Sequence, residues 1–377
     1  MTTILAGAAL VTPADVLPDG WLEVDGDRIV TMGTGEPPRP ADVTLPGGYL
    51  TPGFVDIHCH GGGGATVVGA TPEAVARVAQ AHRRCGTTTI VASLVSASHD
   101  SLARDVAVLA ELAEQGIIAG THLEGPWIAR EYRGAHDPAS LRDPERDEVE
   151  TLLTIGRGTV RMVTLAPERR QGIEAVRLLD DAGVVVAIGH TNARYDRVRE
   201  AIDAGATCAT HLFNAMRPVN HRDPGPVVAL TGDERVTNEL ILDGVHVHAA
   251  AAAFAVRAAQ GRIVLVTDAM AAAAGDDGDY QLGDVPVRVV DRVARLVDGG
   301  AIAGSTLTMD RAVEFAVRQV GLPLVDALAA ATSTPARMIG LTDRGRLEVG
   351  ARADLCHLDP GLDLTAVWSG GTPVPRG

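Results

Sequence analysis

Thr51-Pro52-Gly53-Phe54-Val55-Asp56-Ile57-His58-Cys59-His60, continued by Gly61-Gly62-Gly63-Gly64, is the stretch whose reading decides the fold. A Pro-Gly breaker introduces the apolar residues Phe54, Val55 and Ile57, and a glycine run closes them, so the segment predicts a short buried strand. Side chains alternate along a strand, which puts His58 and His60 on one face and Cys59 on the other. Two imidazoles side by side at the C-terminal end of a strand offer half of a metal site, and the remaining ligands must come from elsewhere in the chain.

Working outward, seven further strand signals follow at 87–94, 117–123, 160–165, 184–188, 206–210, 239–242 and 263–266. Helical patterns separate most of them. One begins at Thr71-Pro72-Glu73, with a capping residue and proline at the first helical position. Another carries Leu102, Val106 and Leu109 on one face. Strand-then-helix repetition of this length predicts an α/β fold, a (β/α)8 TIM-type barrel. An open doubly wound sheet is the alternative, but no G-x-G-x-x-G follows the first strand. The barrel reading gathers residues that local patterns leave apart. His58, His60, Glu124, His190, His211 and Asp268 all lie where predicted strands end, the face on which barrel active sites are built.

Flanking the barrel, residues 1–48 read as short strands, with a hairpin signal at Asp25-Gly26-Asp27. Residues 344–377 are again strand and turn. The two segments are expected to form one small β-sandwich domain, with the barrel at 49–343. The glycine- and aspartate-rich stretch 275–300 reads as a loop or hairpin near the barrel mouth.

Composition narrows the function classes. The 377 residues are 46% hydrophobic and 21% charged, as in a globular protein. A formal net charge of −15 argues against a nucleic-acid partner or an anionic membrane surface. It leaves room for a small anion in a locally basic pocket. The four cysteines form no C-x-x-C pair, and no segment reaches the ~20 apolar residues that span a bilayer. A cytoplasmic protein is expected.

Imidazoles and carboxylates are the ligands of Zn²⁺ and similar divalent ions. Glu124, His190 and His211 make a His₂Glu set; His58 and His60 make a second site beside it, with Glu124 bridging. Asp268 is placed both to touch the metal and to act as the general base for a water molecule acidified there. His122 has the strand parity of Glu124 and can support the site from behind.

Five longer stretches carry a family resemblance. They are Pro52-Gly53-Phe54-Val55-Asp56, His122-Leu123-Glu124-Gly125-Pro126-Trp127, Gly189-His190-Thr191-Asn192-Ala193, Thr210-His211-Leu212-Phe213-Asn214-Ala215-Met216 and Val266-Thr267-Asp268-Ala269. Together with Gly304-Ser305-Thr306 and Thr334-Pro335-Ala336-Arg337, they resemble the N-acetylglucosamine-6-phosphate deacetylase family of the amidohydrolase superfamily. The resemblance spans essentially the whole chain. It implies hydrolysis of the acetamide of a sugar phosphate to the free amine and acetate. It also implies a divalent cofactor of one or two ions per subunit, zinc first, with iron, manganese or cobalt as alternatives. His136 would then polarise the acetyl carbonyl, and Asn214, Ala215 and His246 would meet the sugar phosphate. Arg222 would reach the phosphate across a homodimer interface, a guanidinium fork for a dianion. Members with Gln and Asn on the first strand use one metal, whereas this chain keeps His58 and His60. The alternatives are a deacetylase of N-acetylgalactosamine 6-phosphate, a cyclic-amide hydrolase and a non-catalytic sugar-phosphate-binding barrel.

Overall fold

In the computed structural model, residues 2–375 are described except 14, 70, 283 and 284. The chain divides into two compact units, one of Met1–Asp56, Gln80–Thr89 and Thr308–Gly377, the other of Ile57–Ala79 and Ile90–Leu307.

The expected barrel is present. Its strands are β1 (Phe54–Cys59), β2 (Thr87–Leu94), β3 (Gly120–Glu124), β4 (Val160–Leu165), β5 (Val185–Ile188), β6 (Cys208–Ala209), β7 (Thr237–Leu240) and β8 (Ile263–Leu265). They lie side by side in sequence order, and the pairings from β2 to β8 are parallel. Every residue of β1 and β2 is buried. Parallel strands covered on both faces read as continuous apolar runs for this reason. The sheet nearly closes on itself, because the Asp268 N–H donates to the His58 carbonyl at 2.9 Å and Cys59 bridges to Ala269 in parallel.

Helices follow the strands in turn, among them His99–Glu114, Arg146–Gly156, Gly172–Asp181 and Tyr195–Asp203. In the first of these, Leu102, Val106 and Leu109 are buried at helical spacing, and the Ser98 side chain caps the helix by accepting from the Ser101 N–H. Such a cap is worth about 1 kcal/mol.

Several local readings change, β7 and the stretch after β8 among them. β7 starts and ends two residues before the segment the sequence suggests, which takes Thr237 and Asn238 into the strand. Polar residues at a strand start look like loop, but here Asn238 is fully buried. The stretch after β8 is more ordered than a loop or hairpin. Gly278–Leu282, Val285–Val290 and Val293–Leu296 form a three-stranded antiparallel sheet. Its Leu282, Val287, Val289 and Ala294 pack with Met270, Ala271 and Ala272 in one core cluster.

In the other unit, strands from both chain ends share one eight-stranded sheet. Thr2–Val11, Val16–Asp25 and Arg28–Thr34 make an antiparallel meander, with Gly26 at a φ of 58° in the tight turn. Leu355–Leu358 pairs antiparallel with Tyr49–Pro52. Leu5, Leu10, Leu22, Ile29, Leu50, Leu355 and Trp368 form its buried core.

Candidate active site

The ends of β1, β3, β5, β6 and β8 bring His58, His60, Glu124, His190, His211 and Asp268 together, all within the Ile57–Leu307 unit. Glu124 is at the centre. Its Oε1 is 3.0 Å from His190 Nε2 and 2.9 Å from His211 Nε2, while its Oε2 is 3.2 Å from His60 Nε2 and 3.3 Å from His136 Nε2. Asp268 Oδ1 is 3.5 Å from His58 Nε2 and 3.3 Å from His60 Nε2.

Backbone geometry aims these groups. His190, His211 and Asp268 have φ of 47°, 27° and 47°. Left-handed backbone is uncommon for residues with a Cβ and collects at functional sites. Each residue follows its strand closely, so the turn directs the side chain over the barrel end rather than along the strand.

The far ring nitrogens show which atoms are free to bind. His60 Nδ1 donates to the Ser93 carbonyl at 2.8 Å, His190 Nδ1 to the Tyr132 carbonyl at 2.8 Å, and His58 Nδ1 to Glu239 Oε2 at 3.1 Å. Their Nε2 lone pairs therefore face inward, the arrangement of histidines that ligate a metal. His58 and His60 present Nε2 atoms 3.1 Å apart, as do His190 and His211. Two lone pairs at that distance repel unless a cation or proton lies between them. A tetrahedral ion with bonds of ~2.05 Å holds its ligand atoms roughly 3.3 Å apart, close to this spacing. The donor set, nitrogen and carboxylate oxygen, suits zinc and other first-row divalent ions. His58, His60 and Asp268 cluster as one potential ligand group, and Glu124, His136 and His190 as another.

Without a cation, protons take its place. Burial works against charge on His58 and His60, but the surrounding carboxylates win. They raise His58 well above its ordinary value and His60 to about 9. Burial also opposes charge on Glu124 and Asp268, and the neighbouring histidines, His58 foremost, nevertheless hold both below the usual carboxylate range.

His136 behaves differently. The Ser96 N–H points at its Nδ1 at 3.2 Å, and Ser96 Oγ lies 2.8 Å from the same atom. Burial lowers its pKa. A neutral ring that accepts at Nδ1 carries its proton on Nε2, toward Glu124, which makes His136 a hydrogen-bond donor to the site rather than a ligand.

A cavity of about 770 Å³ opens over this cluster, lined by His60, Glu124, His136, His190, His211, Asn214, Ala215, His246 and Asp268. Leu282, Val285 and Leu296 of the three-stranded sheet form an apolar wall. His246 Nδ1 is 2.6 Å from Asp243 Oδ2. Burial disfavours its charge, yet Asp243 raises its pKa overall, so its far edge can donate to an anion. Arg222 is not among the lining residues. It is exposed, with its N–H bonded to Asn220 Oδ1 and its Nη1 donating to His221 Nε2 at 2.9 Å.

Sequence reasoning missed Glu239 and Ser96. Glu239 is a fully buried carboxylate whose Oε2 accepts from His58 Nδ1 and from the His211 N–H, each at 3.1 Å. The available signal was an acid beginning an apolar run. His122, by contrast, lies beneath the site as its parity suggested. Its Nδ1 is 3.0 Å from Ser93 Oγ, its Nε2 is 2.8 Å from Thr164 Oγ1, and its ring centroid is 4.5 Å from that of His58. Burial holds it neutral.

The amidohydrolase family model matches residues 49–374. This chain belongs to the amidohydrolase family. Among solved structures, the amidohydrolase resembles a mutant N-acetyl-D-glucosamine-6-phosphate deacetylase from Mycobacterium smegmatis in complex with N-acetyl-D-glucosamine-6-phosphate. The two are 48% identical, with 99% of each chain covered and a TM-score of 0.97. It is 35% identical to the N-acetylgalactosamine-6-phosphate deacetylase of Escherichia coli O157:H7, over 98% of this chain and 99% of that protein. It is 37% identical to the human N-acetylglucosamine-6-phosphate deacetylase, over 87% of this chain and 84% of that one. Amidohydrolases are metal-dependent, and the two histidine–carboxylate clusters are where this one could hold metal. Among the described residues, no helix is long and apolar enough to cross a membrane.

Proposed function

We propose that this amidohydrolase hydrolyses the acetamide of N-acetylglucosamine 6-phosphate, releasing glucosamine 6-phosphate and acetate. The observation that carries the reading is the set of inward Nε2 lone pairs around Glu124, beside a neutral His136 with its proton turned to the same point. The gluco configuration is favoured because the 48% match exceeds the 35% match to the galacto enzyme.

Glu124, His190 and His211 would hold one ion, and His58, His60 and Asp268 a second, with zinc the first candidate. When bound, such an ion supplies Lewis acidity that lowers the pKa of water from 15.7 to about 7. The protein's own residues do the rest. His136 Nε2–H donates to the acetyl oxygen, which gains negative charge as water attacks the carbonyl carbon. Asp268 accepts the proton that water loses and returns it to the sugar nitrogen as the C–N bond breaks. The acetyl carbon keeps the water oxygen as acetate.

Asn214, Ala215 and His246 would orient the sugar phosphate in the cavity. Arg222 would serve the phosphate of a second copy in a homodimer. Exposed Val219, Val228, Val245 and Phe254, on the segments after β6 and β7, support an interface on that side. A cytoplasmic setting accords with a sequence whose four cysteines form no C-x-x-C pair.

The deciding experiment is acetate release by metal-stripped protein before and after adding Zn²⁺, Mn²⁺ or Fe²⁺. N-acetylglucosamine 6-phosphate, its galacto epimer and unphosphorylated N-acetylglucosamine are compared. Metal-dependent turnover led by the phosphorylated gluco sugar is expected. Preference for the epimer would transfer the assignment to it, and metal binding without acetate from any of the three would overturn the reading.

A further inference from the structure

We propose that Glu239 is the positioning residue that makes the His58–His60 pair competent to hold a divalent cation. The inference rests on the reading that these two histidines are ligands.

His58 is fully buried at the end of β1, and its role as a ligand turns on which ring nitrogen carries the proton. From below, His122 blocks tilting with its ring edge-on at 4.5 Å. His122 cannot itself choose the tautomer of His58, since both its nitrogens are committed to Ser93 and Thr164. Glu239 can. Its Oε2 lies 3.1 Å from His58 Nδ1, a carboxylate accepts only, and so Nδ1 must carry the proton. The lone pair is then forced onto Nε2, which faces His60 Nε2 at 3.1 Å.

The same Oε2 accepts the His211 N–H at 3.1 Å, where the backbone is left-handed at φ 27°. One buried oxygen thus fixes a ring on β1 and the backbone turn after β6. The other oxygen, Oε1, is buried with no hydrogen-bond partner among the described residues. Burying a charged carboxylate with one oxygen bare is costly unless its environment is electropositive. A cation held by His58 provides that charge through the ring. The fully buried position also excludes any direct role of Glu239 with substrate.

The test loads histidine-¹⁵N-labelled protein with ¹¹³Cd²⁺ and reads which ring nitrogen couples to the metal. It then compares metal affinity in wild type, E239Q and E239A by competition with a chelator. In wild type, His58 should couple through Nε2 and show a protonated Nδ1. E239Q should weaken the ion at His58 and His60 by about 10- to 100-fold, the usual cost of losing such a partner. The ion at His190 and His211 should lose clearly less, because there Glu239 holds only the backbone N–H of His211 and no ligand ring, an asymmetry that general destabilisation would not produce. In an H58Q background the excess loss that E239Q causes at the His58–His60 ion should vanish, because there the carboxylate acts through that ring.

Equal wild-type affinity for both ions in E239Q would overturn the inference while leaving the metal reading intact. Absence of any cadmium coupling to His58 in wild type would overturn both. Coupling through His58 Nδ1 would overturn the inference without any variant, so the result does not depend on E239Q folding.

Discussion

The backbone N–H of Ser96 points at Nδ1 of His136 across 3.2 Å, and this contact sets what His136 can do. His136 Nε2 is 3.3 Å from Glu124 Oε2 and could be taken for a ligand, as its grouping with Glu124 and His190 suggests. The Ser96 contact argues otherwise, because it keeps the proton on Nε2. His136→Ala should therefore retain full metal content and lose about 10²–10³-fold in kcat, the scale of a missing oxyanion donor. Loss of a metal equivalent in this variant would make His136 a ligand instead.

Asp268 has the position of the proton carrier. Asp268→Asn keeps the size of the side chain and should bind substrate with little change in KM. Its kcat should fall by about 10²–10⁴-fold, the usual contribution of a general base. Single-turnover measurements that show near-normal acetate release would remove Asp268 from that role.

Protons and cations compete at His60. Its pKa of about 9 in the metal-free protein means that a metal must displace a proton at neutral pH. Apparent affinity should rise about tenfold per pH unit for each proton displaced, flattening above pH 9. The metal-free protein should move the other way. A histidine whose folded pKa is raised stabilises fully below the ordinary value near 6.5 and ceases to do so as pH rises through about 9. Its melting temperature should fall between pH 6.5 and 9, and added metal should abolish the fall. A metal-free protein with a flat profile there would contradict the shift.

Gly189 carries no side chain for a local reason. A Cβ built there would lie 2.6 Å from the Thr210 Cβ and 3.0 Å from the Thr164 Cγ2. Thr164 and Thr210 are hydrogen-bonded at 2.7 Å beneath the ligand cluster. Gly189→Ala should cost about 1–3 kcal/mol by overpacking and shift the adjoining His190. Chemical denaturation would show the first effect and metal titration the second. Unchanged values in both would mean that the floor yields freely.

Arg222 is exposed and outside the cavity lining, so a role in phosphate binding requires a second copy. Arg222→Ala should raise KM for phosphorylated substrate and leave activity on the unphosphorylated sugar nearly unchanged. Mixing it with a catalytically dead Asp268→Asn chain should restore a high-affinity site if the arginine is lent between subunits. Equal losses on both substrates would exclude phosphate recognition by this residue.

Much of the site was legible because strand geometry made it so. Alternation placed His58 beside His60, and the barrel rule gathered Glu124, His190, His211 and Asp268 from distant segments. Glu239 escaped because its meaning lies in a partner 181 residues away, and an acid at the start of an apolar run reads as a strand boundary. β6 has only two residues, Cys208 and Ala209, although the apolar signal around it is longer, because the chain turns early to set His211. The three-stranded sheet after β8 was hidden by glycine and aspartate, residues that mark turns without saying how many strands the turns connect. His136 lies on no strand end. It emerged from the family resemblance, and its donor role only from Ser96.

The antiparallel pairing of Tyr49–Pro52 with Leu355–Leu358 has a consequence for biosynthesis. Thr51 and Cys356, which face each other in that pair, are 305 residues apart. At translation rates of about 5–20 residues per second, the early strand waits roughly 15–60 s for its partner to leave the ribosome. During that interval its edge carries unpaired N–H and C=O groups beside apolar Leu50, a surface to which another nascent chain can add. A nonsense mutation or ribosomal stall shortly before residue 355 would release polypeptides that retain every candidate ligand yet keep this edge open. Such products should be cleared by chaperones and proteases or accumulate as aggregates.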